Sequence, residues 1–133
     1  MLFRAFSVYI ELVISMSRFE IYADGLHIGW SDFEHGDPPM GVAYGRFFPV
    51  VGYSAIQMKV IAETGSGKTS YYFQVKTPNQ LWIEAIGVSI SDYSQEVGAE
   101  GIEISVVGIS NPPYDLLFQG HVEAYERSFQ QGG

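Results

Sequence analysis

The segment SRFEIYADGLHIGWSD, residues 17–32, carries the strongest local signal in the chain. Asp24-Gly25 lies at its centre, between runs that alternate apolar and polar. A two-residue type I′ turn needs positive φ at both central positions, and Asp-Gly tolerates this well, so the pair predicts a β-hairpin. Closing the chain there sets Phe19 opposite Trp30, Ile21 opposite Ile28 and Ala23 opposite Leu26. Those six side chains then share one face, because strand side chains alternate with period two. Arg18, Glu20, Tyr22, His27, Gly29 and Ser31 fall on the other.

Downstream, DFEHGDPPMGVAYGRFFPVVGYSA (32–55) is rich in Gly and Pro. It reads as a loop, a short strand near Val42 to Phe48 and a turn after Pro49, with no room for an ordinary helix. IQMKVIAE (56–63) alternates again, and so does TSYYFQVK (69–76). A second hairpin closed over Thr64 to Gly67 places Val60 opposite Tyr71, Met58 opposite Phe73, Ile56 opposite Val75 and Lys68 opposite Glu63. LWIEAIGVSIS (81–91) reads as a long strand bent near Gly87, SDYSQEVGAEG (91–101) as a polar loop, and IEISVVGI (102–109) as a further strand with Ile102, Ile104 and Val106 on one side. In the last stretch Leu117, His121, Ala124, Tyr125 and Phe129 recur at helical spacing, while Gly120 weakens the start of that helix.

AETGSGKTS (62–70) satisfies the loose phosphate-loop pattern. That loop follows a buried parallel strand and opens a helix whose N-terminal amides hold the phosphates. Here Lys59 interrupts the preceding run, and aromatic residues follow before Pro78. The match at 62–69 is therefore a decoy.

The expected architecture is mainly β: an antiparallel sheet of about five to seven strands, curled as a partial barrel or sandwich, with one C-terminal α-helix. It becomes α+β if the N-terminal segment is also helical. Residues 1–15 (MLFRAFSVYIELVIS) form an apolar segment expected to pack on the domain or on a second copy, and 16–133 a single β-rich domain; Met16 as the natural start is the other reading. The segment carries Arg4 and Glu11, is too short to span a bilayer and lacks a cleavage signature.

Composition bounds the function. Hydrophobic residues make up 47% and charged ones 17%, which excludes a disordered chain. No cysteine is present, so thiolate metal sites and cysteine nucleophiles are excluded. Fifteen acidic against seven basic residues give a net charge of −8, which disfavours nucleic acid and suits a basic protein partner. No membrane association, no cofactor and a cytoplasmic location are expected.

Candidate binding residues are the aromatics outside the apolar faces, Tyr22 and Tyr72, with Tyr44, Phe47, Phe48 and Tyr53 from the Gly/Pro-rich stretch. Asp32, Glu34, His35 and Asp37 are the candidate metal or acid–base group, although strand alternation would split them between two faces. The leading expectation is a non-catalytic interaction module that self-associates as a dimer, of the inhibitor or immunity type. The alternatives are a small-ligand-binding β-barrel and a metal-dependent hydrolase built on the Asp32–Asp37 loop.

Overall fold

The computed structural model describes residues 18–131, so the expectations for 1–15 and for Met16 lie outside the described residues. Strands β1 (Phe19–Ala23) and β2 (Leu26–Ser31) form the expected hairpin, with φ of 47° at Asp24 and 84° at Gly25. Strands β3 (His35–Asp37), β4 (Val42–Arg46) and β5 (Phe48–Pro49) follow, then helix α1 (Gln57–Glu63) and strand β6 (Phe73–Lys76). The remainder is β7 (Gly87–Asp92), α2 (Ser94–Val97), β8 (Ile102–Val107), α3 (Tyr114–Leu117) and α4 (Gln119–Gln131).

The strands make two antiparallel four-stranded sheets, ordered β5-β2-β1-β6 and β3-β4-β8-β7. The fold is thus α+β and largely β, and among the described residues the sheets do not close into a barrel. One apolar core joins the sheets: Ile21, Ile28 and Val75 from the first, Ala43, Ile104 and Val106 from the second, and Phe33, Phe47 and Tyr53 between them. Each fully buried Ile or Val contributes about 1.5–3 kcal/mol. The chain crosses between sheets at Phe47, whose amide bonds the Ile102 carbonyl (2.9 Å) just before Phe48 pairs with Trp30.

Several local readings need correction. The first concerns the hairpin register. Ala23 opposes Leu26 as expected, but a bulge between Ile21 and Tyr22 then sets Ile21 opposite Gly29, Glu20 opposite Trp30 and Phe19 opposite Ser31. Ser31 is therefore buried, and Trp30 turns to the outer face. Gly29 sits where any Cβ would overlap the Phe47 ring and the Phe48 carbonyl, so the close approach of β5 and Phe47 depends on it.

The second correction concerns residues 56–63, which are helical rather than half of a hairpin. Ile56 and Val60 are buried, four residues apart, while Met58 is 68% exposed. Even-numbered apolar positions satisfy both a strand period and an i, i+4 helix stripe, and Gln, Met, Lys, Ala and Glu favour the helix. Glu63 therefore does not face Lys68 across a ladder; its carboxylate accepts the Ser70 amide (2.8 Å). Residues 81–86 are also irregular, held by bridges Lys76–Trp82 and Glu84–Asn111, and the regular strand begins at Gly87. The polar loop at 91–101 contains the short helix α2.

Candidate functional site

The Asp32–Asp37 loop turns on Phe33, a bulky residue with φ of +46°. That conformation is costly for a residue with a Cβ and persists where the surroundings hold it. Here the Phe33 amide donates to Ser31 Oγ (3.0 Å), His121 Nε2 donates to the Phe33 carbonyl (2.7 Å), and the ring packs edge-on against Phe19 and Phe118.

The turn sets Asp32 apart from Glu34, His35 and Asp37. Glu34 accepts the Arg46 amide (2.7 Å), and His35 stacks on Tyr44 with centroids 5.1 Å apart. Burial, and after it the charge of Asp37, pushes the pKa of the Tyr114 hydroxyl up to about 12. Glu34, His35, Asp37, Tyr44 and His121 border an open cleft of about 350 Å³ between β3 and α4, and Asp32 lies outside it. Among the described residues, no three His, Asp or Glu side chains come together as a metal-holding group.

The phosphate-loop-like stretch follows α1 and precedes β6, the reverse of the strand–loop–helix order that binds phosphate. It lines a hollow of about 200 Å³ at the C-terminal end of α1, beside Glu63. Helix carbonyls and a carboxylate make that place unfavourable for an anion.

The expected surface aromatics divide. Phe47 and Tyr53 are not surface residues: both are core, at 0% and 1% exposure, and the Tyr53 hydroxyl donates to buried Asp92 (2.7 Å). Their Gly/Pro-rich context mimicked a loop, yet it carries the crossing between sheets. Tyr44 lies on the second sheet, and Tyr72 stands at the hairpin tip, where its amide donates to Asp24 (3.0 Å).

Tyr22 and Phe48 remain, and the outer face of the first sheet gathers further side chains around them. Pairing across the strands makes one row Phe48, Trp30, Glu20, Lys76 and the next His27, Tyr22, Gln74. Trp30 stacks on Phe48 at 4.1 Å and 11°; Arg18 lies over Trp30 (3.9 Å) and Arg46 over Phe48 (4.5 Å). Trp82 packs edge-on to Tyr22 (5.2 Å), with Lys76 over both rings. Glu20 accepts from His27 Nε2 at 2.5 Å. Both tryptophans and three of the chain's seven lysines and arginines (Arg18, Arg46, Lys76) thus share one face, with Glu20 paired to His27 among them.

Trp30, Trp82, Arg18, Arg46 and Lys76 were missed from sequence. The signal for Trp30 was Gly29, a glycine inside a strand that marks a bulge and a change of side-chain parity. Among the described residues, no helix is long and apolar enough to cross a membrane. Comparison with protein families, with curated proteins and with solved structures found no match for this chain.

Proposed function

We propose that the protein is a non-catalytic interaction module whose docking surface is the outer face of the first sheet. The observation that carries this reading is the concentration there of Trp30, Trp82, Tyr22 and Phe48 among Arg18, Arg46 and Lys76. Trp, Tyr and Arg are the residues enriched where protein partners bind, because they bring contact area together with polar donors. Rings that stack on one another are also held in place before a partner arrives, which lowers the ordering cost of association.

The expected dimer would use a different surface. A two-fold contact through this face would set one cationic patch against another. The exposed Tyr125–Phe129 pair of α4 is apolar surface available to self-association.

Photo-crosslinking from benzoylphenylalanine at position 22 or 48 in cells tests the reading. Discrete adducts from both positions, with none from position 100 in the turn after α2, are expected. Equal labelling from all three would contradict it.

A further inference from the structure

We infer that this face, cationic where the chain as a whole is acidic, takes an acidic protein segment rather than the basic partner that net charge alone suggests, with Arg18 and Arg46 as the residues that recognise its carboxylates. The inference rests on the docking reading above and adds the chemistry of the partner. A guanidinium lying on an aromatic face is fixed in position and partly desolvated, while its in-plane N–H groups stay available. Arg18 and Arg46 are both held this way, on rings that are themselves stacked. Among the described residues, Nε of each is buried with no hydrogen-bond partner, which leaves the terminal guanidinium nitrogens to meet a carboxylate. Among the described residues the one ion pair is His27–Glu20, so neither arginine has a carboxylate within ion-pair distance. Of the nearby carboxylates, Glu20 is engaged by His27 and Glu34 by the backbone amide of Arg46, while Glu103, paired with Arg46 across β4 and β8, stands outside ion-pair distance.

Guanidinium forks match carboxylate and phosphate alike. Two features favour carboxylates on a peptide over a nucleic-acid strand. The faces of Trp30 and Phe48 are stacked on each other and covered by the arginines, so they offer no platform for unstacked bases. The chain also carries a net charge of −8, so a long polyphosphate would run from three cations onto a repelling surface, whereas a short acidic segment ends among them.

The test is fluorescence anisotropy on the full chain with three labelled probes: a short peptide alternating Glu and Leu, its Gln counterpart and an oligo-dT of similar length. The Glu peptide binds saturably and more weakly as salt rises. Arg18→Gln and Arg46→Gln each weaken it about tenfold, in line with the loss of a charge-assisted hydrogen bond. Lys68→Gln, in the loop after α1, leaves it unchanged, and circular-dichroism melts establish that each variant folds. Equal binding of the Gln peptide, with cross-links from positions 22 and 48 retained, overturns carboxylate recognition and leaves the docking surface standing. Equal or tighter binding of oligo-dT overturns it in favour of a nucleic acid. Absence of binding by every probe, together with absence of cross-links, overturns both.

Discussion

Replacing Tyr53 with Phe removes one hydroxyl from the core and leaves the ring in place. That hydroxyl donates to Asp92 Oδ2 at 2.7 Å; Gln57 Nε2 reaches the same oxygen at 3.2 Å, and the Ser94 amide donates to Oδ1 at 2.8 Å. Asp92 is 2% exposed, and burial alone would raise its pKa. The hydrogen bonds from Ser94, Tyr53 and Gln57 outweigh burial and hold it below the ordinary carboxylate range. Tyr53 is pushed far up, first by its own burial and then by Asp92, so it remains a donor. A hydrogen bond to a charged group contributes about 1.5–3 kcal/mol, and with two donors remaining the expected loss is about 2 kcal/mol. For a urea slope near 2 kcal/mol per molar, the midpoint falls by about 1 M.

The pH dependence has a definite sign. Asp92 has a folded pKa below its unfolded value of about 3.9, so its stabilisation is complete above that value and is lost as pH falls through the folded pKa. The difference between wild type and Tyr53→Phe is therefore full at neutral pH and narrows in acid, where a neutral carboxyl accepts a weaker bond. Urea unfolding followed by tryptophan fluorescence across that range reads both quantities. A difference below about 0.5 kcal/mol at neutral pH, or one that stays constant into acid, refutes the reasoning.

Met58→Glu separates the helix from the strand reading of residues 56–63: on α1 it changes stability by no more than about 0.5 kcal/mol, whereas a core strand position would cost several times that. Val60→Ala, 3% exposed on the same helix, destabilises by about 1–3 kcal/mol in denaturant titration. Gly36→Ala introduces a Cβ against the Tyr114 hydroxyl and the His121 ring; it costs about 1–3 kcal/mol and shifts the His121 ring resonances, and unchanged resonances would contradict the packing of α4 on β3. Magnesium–ATP gives no thermal stabilisation to the wild type or to Lys68→Ala; stabilisation lost in the variant would restore the phosphate-loop reading.

The first hairpin was legible because turn chemistry and alternation agreed at Asp24-Gly25, and the alternation of Ile102, Ile104 and Val106 likewise matched a buried strand face. Helix α1 was not legible, because Ile56 and Val60 satisfy two periods at once and tertiary contact decides between them. The outer face was half legible. Tyr22 stood out from its parity, whereas Trp30 was assigned inward because a bulge changes parity without changing composition. Arg18, Arg46 and Lys76 come from three separate segments, and the sheets alone bring them together. Of the Asp32–Asp37 group, Glu34, His35 and Asp37 border one cleft beyond the left-handed turn at Phe33 and Asp32 stands outside it, a division that composition alone does not reveal.

Trp30 and Trp82 are the chain's two tryptophans, and both lie on the proposed docking face, so their indole N–H signals report on it alone. A nitrogen–proton correlation spectrum recorded during titration with the Glu–Leu peptide tests the account most directly. Both indole signals are expected to move and saturate together with the amides of β1, β2 and β5. Saturable binding that leaves both indoles in place while other amides shift would put the partner on another surface and contradict the account.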